Sequence, residues 1–180
     1  MNNSYTSEES IINRVANSGL VTIDLEQYYH PGERVIYDLK DHLFQGLILR
    51  EKEFRQSLKE TDWTFFKDKN VAIICSADAI VPLWAYMLVA IHLDSYANMV
   101  VLGNLDELEN RLFQECLAKI RAEEYKDAKV VIKGCSRFSV PGYAYVEITR
   151  LLIPYVQSLM FGEPCSTVPL FKRKKDGVEK

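Results

Sequence analysis

The chain has 180 residues, of which 48% are hydrophobic and 26% charged, with a formal charge of −3. That balance excludes a disordered or low-complexity chain, and the mild acidity argues against a dedicated binder of nucleic acid or of an anionic membrane surface. Four cysteines are too few for a disulfide scaffold, and the length fits a single domain over residues 1–180.

The polar start, Met1–Ser10, lacks the basic and then apolar regions of a signal peptide. Glu8–Asn17 reads as a short helix with Ile11, Ile12 and Val15 on one face and Gly19 just beyond its end. Leu20–Leu25 alternates Val21, Ile23 and Leu25 against polar residues, as a half-buried strand does. His30-Pro31-Gly32-Glu33 fits a type II turn. Arg34–Leu39 alternates again, so the two runs read as a hairpin, an N-terminal antiparallel β element. Leu43–Leu49 reads as a third strand with Gly46 inside it, and Glu51–Glu60 as a helix carrying Phe54 and Leu58 at i, i+4.

After this N-terminal part (1–69), strands and helices alternate. Val71–Cys75 is a buried strand by its apolar run, and Pro82–Tyr96 a helix apolar almost all round. Pro82 interrupts the most apolar stretch, Val71–Leu93, too early for a membrane span. Met99–Leu102 is a strand. Leu105–Ile120 is an amphipathic helix, with Asn104 and Glu107 as a capping box and Cys116 on its apolar face. Lys129–Ile132 is a strand, Tyr143–Met160 a helix bent near Pro154, and Lys172–Lys175 a frayed basic tail. The expected fold is α/β: the N-terminal antiparallel element, then a Rossmann-like parallel sheet with two similar strand-loop-helix units over 70–162 and a C-terminal segment over 163–180.

A self-similarity runs through this second part. Val81/Val140, Pro82/Pro141, Ala85/Ala144, Tyr86/Tyr145, Leu93/Leu152, Tyr96/Tyr155 and Gly103/Gly162 are identical at a constant spacing of 59. Cys75-Ser76 and Cys135-Ser136 precede the two Val-Pro pairs and align if one loop residue is dropped. Cys165-Ser166-Thr167-Val168-Pro169 is a shorter third copy. A first-turn proline is an ordinary helix starter, so packing alone explains Val, Pro, Ala and Tyr. It explains the Cys-Ser pairs less well.

Cys75 and Cys135 fall at the carboxyl ends of expected parallel strands, where helix N-termini favour thiolates, and Cys165 follows a Gly162-Glu163-Pro164 turn. Converging, the three would ligate zinc, iron or an iron–sulfur cluster. Asp78, Glu163 or a histidine would then be the fourth ligand, and Ser76, Ser136 and Ser166 would donate hydrogen bonds to sulfur. Two other readings stand beside this one. In the first, the protein is a non-catalytic interaction module whose repeat is architectural. In the second, it is a thiol enzyme using Cys75, although Val81 and Pro82 stand where a phosphatase-type loop wants arginine. Of the histidines, His30 is expected exposed, His42 in a polar turn and His92 in the core. The sequence favours a protein without enzymatic activity, in the cytoplasm, where thiols stay reduced.

Several segments together resemble an uncharacterised bacterial family, domain of unknown function 2480. They are Ile12-Asn13-Arg14-Val15, Ser18-Gly19-Leu20-Val21, Leu43–Leu49, Cys75–Pro82, Lys133-Gly134-Cys135-Ser136 and Leu159–Pro169. Cys75, Cys135 and Cys165 lie inside them and Cys116 does not. The resemblance implies no established activity. It implies partners among iron–sulfur assembly proteins, and with them a metal or cluster role.

Overall fold

A computed structural model describes residues 13–14, 19–134 and 137–174 of the chain. In chain order the elements are β1 (Asn13–Arg14), β2 (Leu20–Asp24), β3 (Arg34–Asp38), β4 (Leu43–Phe44), β5 (Ile48–Leu49), α1 (Glu51–Glu60), β6 (Asn70–Ile74), α2 (Leu83–Leu93), β7 (Met99–Leu102), α3 (Leu105–Leu117), β8 (Lys129–Lys133), α4 (Gly142–Leu152), β9 (Ser158–Glu163) and β10 (Ser166–Lys172). Short 3-10 turns cover Leu25–Tyr28, Leu39–His42, Trp63–Phe66 and Ala122–Tyr125. The class is mixed α/β with parallel sheets, as expected. The chain forms two compact units, one of Tyr29–Ala118 and one of Met1–Tyr28 with Lys119–Lys180.

In the Tyr29–Ala118 unit the strand order is β3-β6-β7, all parallel. β6 is buried on both faces, which its apolar run requires of a central parallel strand. α2 connects β6 to β7 and buries Ala85, Val89 and Leu93, one residue per turn. Its other side differs from the all-round burial expected: Leu83, Met87 and Ile91 are 64–71% exposed. α1 buries Phe54 and Leu58, beside an aromatic stack in which Tyr37 lies flat against both His42 and Trp63. His92 stacks on Trp63 at 4.8 Å. The His42 ring is held at both nitrogens: Tyr37 Oη lies 2.9 Å from Nε2 and Ser57 Oγ 2.9 Å from Nδ1. Ser57 donates to the Phe54 carbonyl, so it accepts from Nδ1–H and His42 accepts from Tyr37. α3 begins with the expected capping box of Asn104 and Glu107. Cys116 is half-buried, flanking the buried α3 residues Leu112, Phe113 and Leu117.

The other unit has the order β1-β2-β8-β9-β10. β2, β8 and β9 are parallel, and β1 and β10 close the two edges antiparallel. α4 connects β8 to β9 and buries Ala144, Ile148 and Leu152.

Several expectations need correction. The runs 20–25 and 34–39 are strands, but they do not pair as a hairpin: β2 pairs with β8 and β3 with β6. β6 and β8 are apolar on both faces and need neighbours on both edges, which a self-contained hairpin would not supply. The parallel strands after Asn70 are divided between two sheets, β6 and β7 in one and β8 and β9 in the other. The antiparallel pairs of the N-terminal half are β1–β2 and β4–β5. The single strand expected over 43–49 breaks into β4 and β5 at Gln45 and Gly46, both left-handed, as a tight hairpin turn demands.

Gly32 does not adopt the positive φ of a type II turn. It is close to other groups instead, because a Cβ there would lie 2.7 Å from Asn70 Nδ2. His30 is half-buried rather than exposed, and its Nδ1 accepts from the Gly32 N–H and approaches Asn70 Nδ2 at 3.2 Å. Of the helix expected over Glu8–Asn17, Asn13 and Arg14 are strand, and the remainder lies outside the described residues. The helix expected over Tyr143–Met160 stops at Leu152, and Ser158–Glu163 is β9. Pro154 cannot continue the helical hydrogen bonds, and Leu159 is fully buried in the sheet. Arg173, expected in a frayed tail, donates to the carbonyls of Ile153, Pro154 and Val156 in the turn between α4 and β9.

Candidate functional site

Both units carry polar groups at the carboxyl edge of a parallel sheet, the edge where ligands bind in open α/β folds. In the Tyr29–Ala118 unit, β3 ends on Asp38 and β6 leads into Cys75. The Asp38 carboxylate accepts from the Ser76 N–H at 3.0 Å, the Ser76 hydroxyl at 2.6 Å and the Lys40 N–H at 3.0 Å. Burial pushes this carboxyl up, but the bonds from Ser76 and Lys40 outweigh it and hold the pKa at about 2. Ser76 therefore gives both its donors to Asp38 rather than to sulfur. The half-buried Cys75 thiol points its own proton at the Ala77 carbonyl, 3.7 Å away. Burial and the nearby Cys75 and Asp38 raise the pKa of Tyr86. Asp78 is exposed.

In the other unit, β8 ends on Lys133, whose ammonium lies 3.4 Å from Asp24 and 3.7 Å from Glu163. Burial lowers the Lys133 pKa, but the two carboxylates outweigh it and the net shift is upward. Glu163, a candidate fourth ligand, is thus an ion-pair partner of a lysine. Glu26 Oε1 accepts from the Arg137 N–H at 2.7 Å and the Phe138 N–H at 3.4 Å, tying the loop after β8 to the turn after β2. Cys165 is exposed in the two-residue turn between β9 and β10, and Ser166 opens β10 opposite Glu163. Cys135 and Ser136 lie outside the described residues. Cys75 and Cys165 are free thiols in separate units. Among the described residues no group of three or more His, Cys, Asp or Glu side chains could hold a metal ion.

The unit with β8 and β9 also carries a groove of about 490 Å³, lined by Ile132, Gly134, Tyr145, Thr149, Phe161 and Leu170. Its walls are almost wholly apolar. Tyr145 and Phe161 meet edge to face, with centroids 5.7 Å apart and planes at 81°. The Thr149 hydroxyl donates to the Tyr145 carbonyl within α4. Gly134 is closely packed, since a Cβ there would lie 2.9 Å from Tyr145 Oη and 3.3 Å from Leu25 Cβ and Val140 Cγ2. Leu170 sits at an irregularity where the β10 register jumps from Pro169 to Phe171, an arrangement that turns a strand residue out of the ladder. None of these residues was a predicted site residue. The available signals were Gly134 directly after a strand and Pro169 inside one.

The sequence model of one family, described as Protein of unknown function (DUF2480), matches residues 9–173. The chain belongs to the DUF2480 family. The match spans the whole groove lining and all of Cys75, Cys135 and Cys165. No curated protein and no solved structure matches this DUF2480 chain. Among the described residues no helix is long and apolar enough to cross a membrane.

Proposed function

We propose that this DUF2480 protein is a non-catalytic binding module that takes a small, uncharged, apolar molecule in the groove between α4 and the β9–β10 hairpin. The observation that carries this is the groove itself: about 490 Å³, without a charged residue in its lining, beside the carboxyl edge of a parallel sheet. Its size lies within the range of small-molecule sites. The loop chemistry agrees, because the donors around Ser76, Arg137 and Phe138 serve to tie adjacent strand ends together. The test is a fluorescence titration with N-phenyl-1-naphthylamine, an uncharged aromatic probe. Saturable binding at one site per chain is expected. L170E, which puts a charge on a residue already 53% exposed, should abolish it without loss of fold. Absence of saturable binding to the unmodified chain overturns the proposal.

A second reading rests on a different observation. Cys75 follows β6, and Cys165 follows β9, so both thiols stand at carboxyl strand ends. On this reading Cys75, Cys135 and Cys165 hold zinc, iron or an iron–sulfur cluster in a cytoplasmic accessory protein that works with iron–sulfur assembly proteins. Metal analysis and the visible spectrum of anaerobically purified protein test it. Changing any of the three to serine should lower the metal content, whereas Cys116→Ala should not. Metal-free protein overturns it.

We also infer that the two units are copies of one pattern. The supporting correspondences keep the 59-residue spacing: Asn70–Ile74 with Lys129–Lys133, and Leu83–Leu93 with Gly142–Leu152. Asp68 and Asp127 are both left-handed and donate to the Tyr96 and Tyr155 carbonyls. Asp24 and Asp38 end the strands that pair in parallel with β8 and β6, and are followed by the fully buried Leu25 and Leu39. On this ungapped register Cys75 corresponds to Gly134, so the cysteines of the two loops are not equivalent positions. The repeat is then architectural, as the interaction-module reading holds.

A further inference from the structure

We propose that two copies of this chain associate through the outer face of α2, the two helices lying antiparallel about a twofold axis at Met87. α2 buries Ala85, Val89 and Leu93 in the core that holds Val71 and Ile73 of β6. On the opposite side Leu83, Met87 and Ile91 are 71%, 64% and 66% exposed, and Ile80, just ahead of the helix, is 94% exposed. No Asp, Glu, Lys or Arg stands between Leu83 and Leu93. A helix apolar on all sides is normally buried on all sides, so this face lacks a cover.

The other unit supplies an internal control. α4 buries Ala144, Ile148 and Leu152, the residues 59 positions after the buried three of α2. At the outer positions it carries Gly142, Val146 and Arg150 where α2 has Leu83, Met87 and Ile91, and Ser139 stands where Ile80 does. Arg150 pairs with Glu147 on the α4 surface. The strand-helix pattern therefore needs only the inner face, and the outer apolar row of α2 has a separate cause.

Symmetry, charge and area each fit a second copy. Leu83 and Ile91 stand four residues either side of Met87, on one ridge of the kind that packs into the groove of a facing helix. Turned about Met87, Leu83 of one copy meets Ile91 of the other. The row carries no charge, so the twofold sets no like charges together. The helix ends are complementary. α2 starts after Pro82 without a side-chain cap, and the exposed Asp94 stands at its C-terminal end, where its own helix dipole disfavours a carboxylate. An antiparallel partner brings each Asp94 toward the uncapped end of the other helix, where the dipole favours it. The four exposed side chains offer about 350 Å² per copy, taking about 120 Å² for one such side chain when wholly covered. Apolar atoms make up about 60% of an interface, so the pair buries about 1,200 Å² in total, at the lower end of specific interfaces. That area suits a reversible dimer with a Kd of about 10–100 μM, monomeric at about 1 μM.

Sedimentation of the full chain between about 1 and 500 μM tests this. The mass should rise with concentration from 20.8 kDa toward twice that value. M87E, at an exposed position on the axis, should weaken association about a hundredfold or more and leave the melting curve at about 1 μM unchanged. Should M87E fail to fold, I91E gives the same reading. V146E, the same kind of change on the outer face of α4, should leave the constant within about twofold. D94N should weaken it about fivefold, since each dimer holds two such helix-end contacts. A chain that stays monomeric at every concentration overturns the proposal and leaves the face to another protein. So does a dimer that M87E leaves intact, or one that V146E disrupts as strongly. An unchanged constant in D94N overturns the antiparallel arrangement.

Discussion

Replacing Asp38 by Asn tests whether the tie between β3 and the loop after β6 stabilises the Tyr29–Ala118 unit as the geometry implies. The carboxylate accepts three hydrogen bonds from Ser76 and Lys40 and is 13% exposed. Its pKa falls from the ordinary 3.8 to about 2. At about 1.4 kcal/mol per pKa unit, that difference is worth about 2 kcal/mol of folding stability. The folded-state pKa is depressed, so the unfolded chain takes up the proton first. The contribution is therefore fully present above about pH 4 and is lost as pH falls toward 2. Asn cannot ionise, so D38N should be less stable than the unmodified chain by about 2 kcal/mol at neutral pH. The two should converge as pH falls to about 2. Urea unfolding of both chains at pH 7, 4 and 2.5 measures this directly, and the other carboxylates cancel in the difference. A stability gap of the same size at pH 7 and pH 2.5 would show that the charge on Asp38 does not carry the tie.

His42 gives a second pH test in a different range. Burial lowers its pKa, against the opposing pull of Asp41, so its contribution should be present above about pH 6.5 and decline below it. His42→Phe, which keeps the stack on Tyr37, should flatten the stability profile between pH 7 and 5, and a slope equal to that of the unmodified chain would refute it. Packing predicts a contrast within the same unit. Phe54→Ala empties a site that is 1% exposed and should lower unfolding stability by about 3–5 kcal/mol. Leu83→Ala, at 71% exposure, should change stability by no more than about 0.5 kcal/mol.

What could be read from the residues alone was the local structure. The i, i+4 pair Phe54 and Leu58 marks α1 because both side chains of such a pair lie on one helix face. Asn104 and Glu107 mark the start of α3 because a capping box is closed within four residues. Alternation in 20–25 and 34–39 identified two strands and their apolar sides. It could not say which strand each would meet, because period-2 patterning carries no information about the partner. Leu20 pairs with Lys129, more than a hundred positions away. The loop position of Cys75 was likewise legible, whereas the acceptor for Ser76 is Asp38, supplied by a strand 38 residues earlier. Tyr143–Met160 misled as one helix because its apolar content is compatible with either structure. Pro154 and the place of Leu159 in the sheet core end the helix instead.

The sequence by itself thus determined the class, the order of most elements and the three cysteines set apart from Cys116, since these follow from contacts between near neighbours. Tertiary structure alone decided that the parallel strands fall into two sheets. It also decided that Ser76 serves Asp38 and Lys133 joins Asp24 to Glu163. It formed the groove as well, because a groove is a space bounded by Gly134, Tyr145, Phe161 and Leu170, residues brought together by three strands and a helix.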